Sequence, residues 1–340
     1  MTWKENMSKK LIPPGLTYLA NNIALSDNIV GATKKEGAKW AKNLKFSSNN
    51  ETVFFAGCGY QYSSELETLM SLIRSIDKSP INMEMTMNLA IFQRKLGLDL
   101  GGVYRKVMTR GGEADAQPLV SAVKVLNKIG IDFGYLGEDE PCCGGLLYYI
   151  GMHKEFNSHA KEVHSRLKAK GVKEIIGLVP SCTFTLKSLV PKGAGSDDIK
   201  VRHFCEVVDE NLASLKLRLP EKVKVTYHDP CQLSRSLGLI DEPRRILSAI
   251  ENVELVEPAW TKGKFSTCCG GGGGFEAVFP ELSQTLAVNR AKELIETEPD
   301  IIITHCPGCI MQIEGGLKEL GIKNAKVLDL AQVVGMALEV

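Results

Sequence analysis

Five cysteines between residues 231 and 309 are spaced so that they could share one metal centre. Cys231 ends His228-Asp229-Pro230-Cys231, the adjacent pair Cys268-Cys269 opens a run of five glycines, and Cys306-Pro307-Gly308-Cys309 closes the set, with 36 residues in each gap. In a chain whose thiols stay reduced, such a constellation points to metal binding or catalysis rather than a disulfide frame. Adjacent cysteines such as Cys268 and Cys269 are also poorly placed to bridge each other. A closed zinc site takes four ligands, so a fifth thiolate is surplus to it. Iron-sulfur clusters take thiolates readily and are tuned by backbone donors near the sulfurs. Gly270 and Gly271, with the glycines up to Gly274, would let the backbone approach such a group closely.

The elements that must position these residues are short apolar runs ending at or before each site. Val223 to Tyr227 precedes Cys231, Val253 to Val256 lies upstream of the pair, and Ile301 to Thr304 precedes Cys306. Strands alternating with helical stretches imply an α/β protein with a parallel sheet, whose ligand sites lie beyond the carboxyl ends of the strands. The cysteines are therefore expected to converge at one sheet edge.

The same order occurs once before. Val53 to Ala56 leads to Gly57-Cys58, Ile131 to Leu136 to Cys142-Cys143-Gly144-Gly145, Glu174 to Val179 to Pro180-Ser181-Cys182, and Ile199 to Arg202 to His203 and Cys205. Cys142 and Cys143 precede Cys268 and Cys269 by 126 residues, Cys182 precedes Cys309 by 127, and Cys205 precedes Ala331 by 126. So small a drift marks an internal duplication. Cys58 precedes Cys231 by 173, which puts an excess of about 47 residues between roughly Glu65 and Gln117 of the first half. The position equivalent to Cys306 is Val179, so the first half retains four thiols. Cys58, Cys142, Cys143 and Cys182 suit a second iron-sulfur cluster or a zinc ion.

The pattern Cys231, Cys268-Cys269-Gly270, Cys306-x-x-Cys309 resembles the cysteine-rich CCG domain of the heterodisulfide reductase catalytic subunit and its relatives. The resemblance implies two tandem similar CCG domains, at 49–218 with a degenerate motif and an insertion, and at 219–340 with a complete one. Each would be a small parallel sheet with flanking helices. It further implies a non-cubane [4Fe-4S] cluster on Cys231, Cys268, Cys269, Cys306 and Cys309, and a second cluster or zinc on the first set. In such enzymes two clusters face each other and cleave a disulfide with single electrons from a ferredoxin-type subunit. The implied partners are that subunit, a flavoprotein subunit, and a small-molecule or protein disulfide or thiol substrate. CCG domains also occur in glycolate, lactate, glycerol-phosphate and succinate or fumarate oxidoreductases, where they relay electrons toward a quinone or anchor a complex. A zinc-bound, non-catalytic scaffold is a further alternative.

Residues 1–48 read as a helical extension, with helices around Leu16 to Leu25 and Thr33 to Leu44, that either packs on its own domain or serves as a docking arm. His228 and His305 lie close to the thiols and are expected to donate to sulfur, relay protons or cap strand ends. His203 and Cys205 read as a helix start and core filler, and His153, His159 and His164 as a solvated helix face. Met83 to Met87 read as core, and the glycines at 97–112 as loop turns with solvated Tyr104, Arg105, Lys106 and Arg110.

A net charge of +1 without a basic patch gives no case for nucleic acid. The glycine run lacks the lysine of a phosphate loop. No apolar run approaches the length of a membrane span, so the chain reads as cytoplasmic, meeting a membrane only through partners.

Overall fold

The computed structural model of the protein describes residues 12–77 and 116–338. Two four-stranded parallel sheets follow each other along the chain. The first comprises β1 (Thr52–Phe55), β2 (Gly134–Tyr135), β3 (Glu174–Gly177) and β4 (Lys200–His203), in the order β2-β1-β3-β4. The second comprises β5 (Leu217–Tyr227), β6 (Ile250–Leu255), β7 (Ile301–Thr304) and β8 (Lys326–Asp329), in the order β6-β5-β7-β8. The inner strands β1 and β7 are apolar and buried: Val53, Phe54 and Phe55 are buried, as are all four residues of β7. β5 starts earlier than its apolar run. Leu217 and Arg218 pair with Ile250 and Glu251, the register shifts around Pro220, and pairing resumes at Val223.

Identical strand order places the cysteines alike. In each half the chain leaves the first strand, pairs the second on one side and returns to the other, and the loops beyond the carboxyl ends of these three strands carry the thiols. The fourth strand of each half runs into a capped helix. His203 caps Phe204–Glu210 and Asp329 caps Leu330–Ala337, each donating its own N–H in return to the side chain of the third helical residue, Glu206 or Gln332.

The halves share one core. Helix Gln117–Ile129 of the first packs on Leu330–Ala337 of the second, where a Cβ on Gly335 would sit 2.7 Å from that of Ser121. Helix Pro14–Ser26 starts at a proline, ends at Asp27 with φ 53°, and buries Leu16, Tyr18, Leu19 and Ile23 in that core. The stretch expected as one helix from Thr33 to Leu44 forms a capped turn at Lys34–Ala38 and a 3-10 turn at Lys39–Ala41. Gly37 lies flat against Tyr62, whose Oη would be 2.2 Å from an added Cβ, and Trp40 packs on Phe46, Phe54 and Tyr135. Met83 to Met87, the glycines at 97–112 and Tyr104, Arg105, Lys106 and Arg110 lie outside the described residues. Among the described residues, no helix is long and apolar enough to cross a membrane.

Candidate metal centres

In the second half the thiols gather where β5, β6 and β7 end. Cys269 and Cys309 have their sulfurs 3.2 Å apart, and the free thiols of Cys268 and Cys306 lie within electrostatic reach of Cys269 and Cys309 respectively. Cys231 lies near enough to Cys306 and Cys269 to sense their charge. Cys269 and Cys309 are buried, Cys231 and Cys306 are half-buried and Cys268 is exposed, so the group opens to solvent on one side. The neighbouring Cys268, Cys309 and His228 hold Cys269 well below the ordinary thiol range, whereas Cys269 and Cys306, with burial, push Cys309 up. One thiol of the set is thus favoured as thiolate, and a metal would displace the remaining protons.

The glycine run packs backbone against this group. Gly270 has φ 88°, donates its N–H to the Cys268 sulfur at 3.3 Å, and passes so close to helix Pro280–Ile295 that a Cβ would lie 2.3 Å from Ser283 O. Gly271 faces Gln312, whose Cγ would be 2.8 Å from an added Cβ. The equivalent Gly145 faces Thr185 in the same way, with Oγ1 at 2.5 Å.

In the first half four thiols form a continuous chain of contacts. The free thiol of Cys58 lies within electrostatic reach of Cys142, and Cys142 of Cys143, while the sulfurs of Cys143 and Cys182 are 3.3 Å apart. All four are buried. The neighbouring Cys142, then burial, pushes the Cys58 thiol well above its ordinary range. Val179, in the place of a fifth thiol, is 3% exposed and packs on Gly57. The loop before Cys58 is fixed by Glu140, which accepts N–H bonds from Ala56 and Gly57 at 2.9 Å each. The N-terminal segment closes the site: Asp27 accepts from Cys142 N at 2.8 Å, and the Ile29 backbone lies beside the Cys58 thiol.

The two groups adjoin across the junction. A Cβ on Gly59, beside Cys58, would lie 2.6 Å from Pro307, beside Cys306. Reciprocally, the π-helical turn Gln232–Ser236 after Cys231 packs on the helix that carries Cys182. Tyr149 stands between them, its hydroxyl 3.4 Å from Gln232 Oε1 and its ring within electrostatic reach of Cys143, Cys182 and Cys231.

His228 and His305 part company. His228 is fully buried, with a ring nitrogen within 4.8 Å of the sulfurs of Cys269 and Cys309. His305 binds Asp329 through Nδ1 at 2.8 Å, stacks edge-on against His203 and lies with Cys205 at the junction. His203, Cys205 and His305 are clustered, yet His203 has no lone pair left for a metal. Its Nδ1 accepts from Cys205 N, so the ring proton is on Nε2, facing Leu178 O. His159 reaches Cys142 O at 2.8 Å, a loop contact rather than a solvated one.

Sequence reasoning missed Arg290, Gln312 and Glu140. Arg290 is fully buried and hydrogen-bonded to His228. The signal was present in helix Pro280–Ile295, where Arg290 falls on the same stripe as Ser283, Ala287, Ala291 and Leu294.

An iron-sulfur group fits the second site by the chemistry of its donors. Besides five thiols, three buried nitrogens there, His228 Nε2, Arg290 Nη2 and Gln312 Nε2, have no hydrogen-bond partner among the described residues. Buried donors of this kind are costly unless an acceptor such as sulfide or thiolate faces them.

The sequence matches the cysteine-rich (CCG) domain family over residues 108–187 and 225–314. It is 35% identical over 227 residues to a subunit of the dihydromethanophenazine:CoB–CoM heterodisulfide reductase of Methanosarcina acetivorans, covering 64% of this chain and 55% of that protein. It is also 35% identical over 227 residues to EtfAB:quinone oxidoreductase of Syntrophomonas wolfei, covering 64% and 31%. A subunit of the fumarate reductase (CoM/CoB) of Methanothermobacter marburgensis is 29% identical over 218 residues, with 64% and 42% covered. The chain thus spans about half or less of the length of these curated relatives.

Proposed function

Because the chain belongs to the family of CCG cysteine-rich domain proteins, we propose that it is an iron-sulfur oxidoreductase subunit of a heterodisulfide-reductase-like complex. The carrying observation is the convergence of five thiols from three loops, with Cys269 and Cys309 in sulfur contact and unpartnered buried donors beside them. Cys231, Cys268, Cys269, Cys306 and Cys309 would hold a non-cubane [4Fe-4S] cluster, which supplies one-electron chemistry toward a sulfur substrate or partner. The protein's part is to hold the ligands, exclude water on the Cys309 side and leave access on the Cys268 side. Cys58, Cys142, Cys143 and Cys182 make a closed four-thiolate set, complete for either a second cluster or zinc.

The relatives divide between disulfide and quinone chemistry, and the open face of the second site suits a substrate that must reach sulfur directly. A ferredoxin-type subunit and a flavoprotein subunit would complete the complex, consistent with relatives that are subunits or longer chains. The test is reoxidation of the dithionite-reduced, cluster-loaded chain. Rapid recovery of the visible absorbance with a mixed disulfide, which is reduced to two thiols, and none with a soluble quinone, is expected; the reverse preference would move the chain to quinone-linked electron relay.

A further inference from the structure

We propose that Arg290 is a positioning residue: it fixes His228 in the tautomer that carries the ring proton on Nε2, aimed at the thiols of the second-half centre. Arg290 Nε donates to His228 Nδ1 at 2.9 Å. A guanidinium has donors only and keeps its proton, so Nδ1 must accept, and the single proton of the ring must sit on Nε2. That atom has no hydrogen-bond partner among the described residues and is fully buried, while the Cys269 and Cys309 sulfurs lie within 4.8 Å of a ring nitrogen. Sulfur is the acceptor in reach.

The guanidinium is itself clamped. Its Nη1 donates to Glu293 Oε2 at 2.7 Å, Thr261 O at 3.0 Å, Thr261 Oγ1 at 3.1 Å and Thr267 Oγ1 at 3.2 Å. Thr267 also donates to Glu293. The network therefore ties the loop before Cys268 and the helix Pro280–Ile295 to the residue following β5, and the ring cannot turn without breaking it.

The internal repeat supplies a control within the chain. At the offsets that align the cysteines, His228 corresponds to Phe55, Arg290 to His164 and Glu293 to Leu167. Phe55 and Leu167 are each 1% exposed and apolar, and His164 pairs with Asp198 at 2.6 Å on the surface. At these equivalent positions neither the donor nor its support is repeated, in the half whose counterpart of Cys306 is Val179.

This deepens the proposed function and rests on it for the redox readout alone. Full-length, reduced, metal-free chain labelled with nitrogen-15 in its histidine rings, with His228→Asn to assign the signal, should show His228 unprotonated at Nδ1 and protonated at Nε2. Arg290→Met should release a mixture of tautomers. In the cluster-loaded chain, Arg290→Met should lower the reduced-to-oxidised ratio at fixed potential about tenfold, equivalent to about 59 mV for one electron. Arg290→Lys, which keeps the charge but lacks Nε, should not restore it.

A proton on Nδ1 in the unmutated chain overturns the proposal, as does an unchanged potential in folded Arg290→Met or full restoration by Lys. If Arg290→Met does not fold, the tautomer of the unmutated chain decides. A chain that binds no cluster refutes the functional reading and leaves the nitrogen-15 result to judge Arg290.

Discussion

Glu140→Gln should abolish a pH dependence of stability that originates beside the first centre. Glu140 is 2% exposed and accepts N–H bonds from Ala56 and Gly57, while Lys34 bonds to its carbonyl. Burial raises its carboxyl from 4.5 to about 7 against those N–H donors and Lys34. The native state then binds more protons than the unfolded chain between the two values, so stability falls as pH rises. The contribution is fully present below about pH 4.5 and is lost as pH rises through 7. The shift corresponds to about 3 kcal/mol in all, of which about 2 kcal/mol falls between pH 5.5 and 8.

Glutamine carries no titrating proton, although its amide sets one N–H against the donors of Ala56 and Gly57, at a pH-independent cost of about 1–3 kcal/mol. Urea unfolding of both proteins at several pH values isolates the effect. The stability of the unmutated chain relative to the variant should fall by about 2 kcal/mol from pH 5.5 to 8. A difference that stays flat within about 0.5 kcal/mol would refute the reasoning.

Cys205→Ala should leave the metal content of the purified chain unchanged and cost only about 1 kcal/mol in urea unfolding, because Cys205 fills core space behind a spent His203. Gly270→Ala combines a left-handed backbone, worth about 1–2 kcal/mol, with a clash against Ser283 O, and should strip metal from the second centre while sparing the first. Gly130→Ala, at φ 87° with open space around it, should lose only the backbone part, by the same unfolding assay. Tyr60→Phe removes the hydroxyl that donates to buried Asp329 across the junction and should cost about 1–3 kcal/mol in thermal unfolding, without loss of metal from either half.

The sheets were legible because each inner strand holds a short apolar run a few residues before a cysteine, a pattern that buried parallel strands keep visible. The duplication was legible because its offset is nearly constant, and it correctly put His203 and Asp329 at matching helix starts. Gly37 was harder to read. A lysine-alanine stretch looks like one helix until Tyr62 demands a residue without a side chain, and nothing local announces that contact. Arg290 was obscured by its type, since arginine on a helix ordinarily faces water and only its place on the buried stripe says otherwise. Glu140, two residues before Cys142, went unnoticed because its partners are backbone groups 83 and 84 residues away.

Iron and acid-labile sulfide, measured on anaerobically purified chain beside Cys306→Ala, test the central claim most directly. At least about four irons and about four sulfides per chain are expected. Cys306→Ala should lose most of the second centre's share while urea unfolding shows the chain still folded. A folded chain that carries no labile sulfide, or zinc alone, would contradict the claim.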